Sequence, residues 1–129
     1  MKKEFDLLQS LLDTEFKPEK DVPMRRFGEQ ASFRIRALDG KDIQRIRQQA
    51  MYPTKNGEKL DEEKFGTLLI VKACVNPDWS DRRLLEGLGV SDPTEAVQKR
   101  LLSGEIAKLT AAILDLSGFG EDAEDDVKN

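Results

Sequence analysis

The segment KACVNPDWSD, residues 72–81, holds the only cysteine of the chain, Cys74, five positions before the only tryptophan, Trp79. A thiol close to an aromatic ring suggests nucleophilic chemistry, which needs a base or a positive neighbour to hold the sulfur as thiolate. The chain has no histidine. Cys-His and Ser-His-Asp constellations are therefore impossible, and one cysteine without histidine cannot supply the nitrogen and sulfur ligands that zinc prefers. Lys72, two positions before Cys74, points to a different side of a helix and lowers the thiol pKa little. The expectation is a buried Cys74 that packs as a small hydrophobe.

The remaining chemistry-bearing residues point the same way. No glycine cluster has the GxGxxG or GxxxxGK[ST] spacing of a phosphate-cradling loop. Asp61, Glu62 and Glu63 are adjacent, so on a helix their carboxylates diverge instead of converging on a metal ion. A non-enzymatic protein without metal or cofactor is expected, with no catalytic residue to name.

Charge is uneven along the chain. Seven basic residues between Arg25 and Arg47 stand against Glu29, Asp39 and Asp42. Arg34 and Arg36 share one strand face, and Arg45 and Arg47 belong to the following helix. A nucleic-acid reader usually adds exposed aromatics or a basic domain overall. With a net charge of -4 and 6% aromatics, a solvated face or a protein-binding rim fits better. A small nucleic-acid-binding or regulatory protein using Arg25–Arg47 is the alternative. The last ten residues, GEDAEDDVKN, carry five acids against Lys128 and by themselves account for the net charge. Such a run predicts disorder after about Phe119.

The elements that position these residues follow from periodicity. At 129 residues and 38% hydrophobic content the chain suits one small domain with a modest core. Phe5, Leu8, Leu12 and Phe16 at helical spacing, widened by Leu11, predict an amphipathic helix ending before Pro18. KPEKDVP reads as a linker, so residues 1–21 form a helix and linker ahead of a domain over 22–119 and a tail over 120–129. Phe33, Ile35 and Ala37 alternate with Arg34 and Arg36 as in a half-buried strand, with Met24–Phe27 as its hairpin partner across GEQ. Asp39 is the expected cap of the next helix, with Leu38 and Ile43 placed as a hydrophobic staple.

YPTKNG reads as a turn-rich loop, and Asp61 opens an almost wholly apolar run from Phe65 to Val75. The acidic start and length favour a central helix, with Gly66 allowing a neighbour close and Asn76-Pro77 ending it; Ile70, Val71 and Val75 leave a buried strand open. Ser80 is placed to cap a short helix carrying Leu84, Leu85 and Leu88. Asp92, Pro93 and Glu95 start the next helix, with Val97 and Leu101 inward. Ser103-Gly104 should break the chain before a last helix with Ile106, Leu109 and Ile113 on one side. Gly118 is the left-handed stop, after which Phe119 can fold back onto Leu114. The fold expected is mainly α, in the α+β sense: a small helical domain of about five helices after an N-terminal β-hairpin.

Three blocks, ALDGKDIQRIRQQA, LDEEKFGTLLIVKACVNPDW and LLEGLGVSDPTEAVQKRLLSGEIAKLTAAILDLSGF, resemble in order and spacing the phage tail assembly chaperones of the XkdN-like group, found in prophages and prophage-like elements. The resemblance spans roughly Phe33 to Phe119. It implies a non-enzymatic helper that coats the hydrophobic, helical tape measure protein until the tail tube polymerises around it, and then leaves. It transfers no catalytic or binding residues. The residues themselves offer Leu84, Leu88, Leu101 and Ile106 as a groove for the client helix, with Arg34 and Arg36 facing acidic residues of the client or of the tail tube subunit. Homo-oligomerisation is a further open partner choice. No segment has the roughly 20 uninterrupted apolar residues of a membrane span, and no signal-peptide cleavage site follows the N-terminal run. A cytoplasmic protein absent from the finished virion is expected.

Overall fold

Phe33 and Ile35, alternating with arginines, form the middle of a three-stranded sheet in the structure, a computed structural model that describes residues 5–13 and 18–119. Helix α1 (Leu7–Asp13) is followed by β1 (Glu19–Pro23), a 3-10 turn (Arg25–Phe27) and β2 (Ser32–Arg36). Then come α2 (Gly40–Gln49), the hairpin β3 (Met51–Thr54) and β4 (Gly57–Leu60), α3 (Glu62–Ala73) and β5 (Cys74–Asn76). Helices α4 (Arg82–Leu88), α5 (Pro93–Arg100) and α6 (Ser103–Leu114) complete the fold with a final turn over Asp115–Phe119. The architecture is α+β and mainly helical, with an N-terminal hairpin. The expected disordered tail lies outside the described residues, as does Phe16 of the first helical stripe.

The hairpin differs from expectation in its first strand. Glu19–Pro23 pairs antiparallel with β2, Val22 opposite Phe33 and Asp21 opposite Arg34. Glu19–Pro23, within the KPEKDVP read as linker, is therefore strand, and Met24, expected to open the pairing strand, begins the connection, its N–H donating to the Ala31 carbonyl at 2.9 Å. With Val22 as its one buried residue, β1 shows no alternation to detect. Its sheet order, β1-β2-β5, makes it an edge strand, where proline is tolerated.

The apolar run from Phe65 divides between the two readings left open. Helix α3 ends at Ala73, and Cys74–Asn76 turns into the third strand, with Ile35 opposite Cys74. YPTKNG is also a hairpin, not a loop: Met51 faces Leu60, and Thr54 Oγ1 donates to the Gly57 carbonyl at 2.6 Å.

Acidic caps fix the helix starts. Asp39, Asp61 and Asp92 accept from the N–H groups of Asp42, Lys64 and Thr94 at 2.9, 3.0 and 2.7 Å. Helix α4 is capped by Asp81 rather than Ser80, since Asp81 Oδ1 reaches the Arg83 N–H at 2.8 Å. The chain turns before α6 at Leu101 and Leu102, both extended, so Ser103 and Gly104 lie in the first helical turn. Glu105 fastens that turn by accepting from the Leu102 N–H at 2.8 Å. Gly118, at φ 96°, ends the last helical segment, and Phe119 stays exposed instead of tucking onto Leu114.

One core joins sheet and helices. Ile35, Leu69, Ile70, Ala73, Val97, Leu109 and Ile113 are all fully buried. Trp79 is buried with its ring edge-on to Phe33 at 6.0 Å between centroids. Its indole Nε1 is the one buried side-chain nitrogen or oxygen among the described residues without a hydrogen-bond partner. Cys74, half-buried beneath it, has its thiol pushed up to about 11, mainly by burial. A thiol so protonated near neutral pH is a poor nucleophile.

Candidate partner-binding site

Gly66 sets the geometry of the site. A Cβ there would lie 2.6 Å from Thr110 Oγ1 and 3.3 Å from Ile106 Cγ2, so only glycine lets α3 approach α6 this closely. Thr110 and Thr67 turn their hydroxyls back onto the Ile106 and Glu63 carbonyls of their own helices, at 2.7 and 2.8 Å. Beside this contact the small side chains of Ala107 and Ala111 leave an open groove of about 510 Å³ along α6. Leu60, Phe65, Ile106 and Leu114 supply apolar walls and floor; Glu62 and Glu63 line it with negative charge. Ala107 and Ala111 are exposed, whereas Phe65 and Leu114 are half-buried.

Of the four leucine and isoleucine candidates, three are core. Leu88 (9% exposed), Leu101 (5%) and Ile106 (6%) sit in the central cluster, and Leu84 is half-buried against it. The first two offer a partner almost no surface. Ile106 lines the α3–α6 cleft, and Leu84 lines a separate pocket with Asn76, Pro77 and Asp78. Their helical spacing signalled burial, but periodicity cannot separate a face that meets its own core from one that meets a partner. Ala107 and Ala111 were missed because a groove is made by absent side-chain volume, and alanine in a helix reads as helix propensity.

Arg34 and Arg36 lie on the outer sheet face as expected, but both are engaged. Arg34 bridges Glu19 at 2.5 Å and Asp21 at 3.4 Å, and these carboxylates raise its pKa further. Arg36 Nη2 donates to the Lys72 carbonyl at 3.2 Å. Arg26 is paired with Glu105, and Arg45 lies 4.0 Å from Asp42. Three of the seven basic residues read from sequence, Arg26, Arg34 and Arg45, thus have acidic partners, in α6, β1 and α2.

A second apolar surface lies on α1 and just before it. Phe5, Leu7, Leu8, Leu11 and Leu12 are 79%, 60%, 74%, 69% and 78% exposed, and no residue of this helix is buried. Among the described residues no group of three or more histidine, cysteine or acidic side chains is gathered as for a metal ion, and no helix is long and apolar enough to cross a membrane.

The described residues form an α+β domain whose notable surfaces are an apolar cleft between α3 and α6 and an exposed apolar helix. The chain is a member of the phage XkdN-like tail assembly chaperone family, whose model matches residues 8–129. The crystal structure of the protein yqbn shares its fold, with a TM-score of 0.69 and 23% sequence identity over 91% of this chain and 99% of that one. No curated protein matches it significantly.

Proposed function

We propose that this tail assembly chaperone binds the phage tape measure protein, keeps it soluble and helps the tail tube assemble around it, without catalysing a reaction. The observation that carries this reading is the α3–α6 groove, whose apolar floor and shallow alanine edge suit one face of a helix. An unassembled rod of amphipathic helix exposes apolar stripes that aggregate, and laying such a stripe in a groove masks it reversibly. Ile106 at the floor, with Ala107 and Ala111 beside it, forms the contact. Arg34 and Arg36 take no primary part, since an acidic client would first have to displace their existing partners. The complex forms in the host cytoplasm and the chaperone departs before the tail is complete.

The test is co-expression of the neighbouring tape measure protein with and without this chain, followed by co-purification at low and high salt. Recovery of soluble tape measure in a salt-resistant complex is expected, because apolar burial depends little on ionic strength whereas charge pairing is screened. A tape measure that stays insoluble and unbound refutes the proposal. Absence of the chain from purified tails separates a chaperone from a structural subunit of the virion.

A further inference from the structure

We propose that the cleft between α2 and α3 is a second docking surface, which holds an acidic segment of a protein partner by its carboxylates and by a large apolar side chain set between them. It shares no lining residue with the α3–α6 groove, so it goes beyond the function proposed above and is tested separately from it.

The cleft follows from two helices lying side by side. Arg45, Ile46 and Gln49 recur at helical spacing along α2, as Leu68, Val71 and Lys72 do along α3, so each helix turns one face to a space of about 430 Å³. Ile46 is buried at its base, whereas Leu68 and Val71 are only half-buried and leave apolar surface open to solvent. Arg36 reaches the same space from β2, where its Nη2 donates to the Lys72 carbonyl at 3.2 Å.

The charge of the lining selects the partner. Arg36, Arg45 and Lys72 face one acid, Asp42. The carbonyl ends of α2 and α3 add about −0.5 each at most, which still leaves the cleft positive. Asp42 does little to neutralise Arg45: its carboxylate stands 4.0 Å away and the arginine side chain stays 69% exposed, and exposed pairs of this kind contribute little. Lys72 is exposed and pairs with no acid among the described residues.

Cations around an apolar floor match a segment in which aspartates or glutamates flank a leucine or phenylalanine. The carboxylates take Arg45 and Lys72, and the apolar side chain covers Leu68 and Val71. Arg36 keeps its bond to the Lys72 carbonyl and adds charge, so docking displaces no existing contact. A nucleic acid would answer the charge and not the floor. No aromatic residue lines the cleft for a base to stack on, and phosphates bury no apolar surface.

The experiment titrates the full chain with a synthetic acidic peptide, aspartates and glutamates around two central leucines, and follows backbone amide shifts. The same peptide with serines for leucines and an oligothymidylate are the comparisons. Saturable shifts are expected at Ile46, Leu68 and Val71, with Ala107 and Ala111 unmoved. Arg45→Gln/Lys72→Gln, whose substitutions fall on exposed side chains, should weaken binding roughly tenfold. Equal binding of the serine peptide would reveal a charged surface only and overturn the docking site. Tighter binding of oligothymidylate would assign the cations to phosphate and overturn the protein partner. Unmoved cleft amides, or shifts that survive the double substitution undiminished, overturn the proposal outright.

Discussion

Arg26 and Glu105, 79 positions apart, form a bidentate ion pair, with Nη2 to Oε1 at 2.7 Å and Nε to Oε2 at 3.0 Å, that ties the turn after β1 to the first turn of α6. The same guanidinium donates to the Arg100 carbonyl at 2.6 Å and lies over the Phe27 ring. Alongside it, Lys108 Nζ donates to the Pro23 carbonyl at 2.6 Å. The N-terminal hairpin is thus fastened to the helix that forms one wall of the groove.

This pair makes stability depend on acid pH. The hydrogen bonds from Arg26 hold the Glu105 carboxyl below its ordinary value. A folded-state value that is depressed gives stabilisation present above the unfolded value, near pH 4.3, and lost as pH falls through the folded one. Glu105→Gln is expected to lower the melting temperature near neutral pH, with the gap to the parent closing in acid. A gap unchanged across that range would show that the carboxylate charge is not what fastens the turn.

At the centre of the helix pair, Gly66→Ala should destabilise the domain. The added methyl meets Thr110 Oγ1 at 2.6 Å, and overpacking of this kind costs about 1–3 kcal/mol, against a helix-propensity gain of about 1 kcal/mol. Denaturant titration should show the loss, and Thr110→Ala in the same chain should recover much of it, since it removes the nearer clash.

Core and groove positions should separate in mutants. Leu101→Ala, at a site 5% exposed, is expected to cost about 2–5 kcal/mol. Ala111→Glu, on the exposed groove edge, should change stability by no more than about 0.5 kcal/mol yet weaken retention of the tape measure protein. Undiminished retention would move the contact away from the α3–α6 groove.

Cys74 should be slow to alkylate in the folded protein and fast in denaturant, because burial raises its thiol to about 11. A raised folded-state value gives stability that is full below the unfolded value and lost as pH climbs through the folded one. Between about pH 9 and 11 the parent should therefore lose stability that Cys74→Ala retains. Parallel alkaline melting curves would place the thiol in contact with water.

Three helix starts, those of α2, α3 and α5, were legible in this sequence because their determinants are local. Asp39, Asp61 and Asp92 are caps by virtue of residues within three positions of them, and the spacing of Ile106, Leu109 and Ile113 marks a buried face whatever that face meets. The absence of histidine likewise excluded whole classes of catalysis before any fold was known. Strand β1 depended on a partner across the sheet: Glu19–Pro23 has no pattern of its own and becomes a strand only because β2 presents Phe33 and Arg34 to Val22 and Asp21. The pairing of Arg26 and Arg34 was hidden for the same reason, since Glu105 and Glu19 arrive from other elements. Leu88 and Leu101 could not be told from a binding face until the neighbours that cover them were in place. Sequence determines periodicity, capping and chemical inventory, which act over a few residues; tertiary structure decides pairing, burial and grooves, which depend on what distant segments bring into contact.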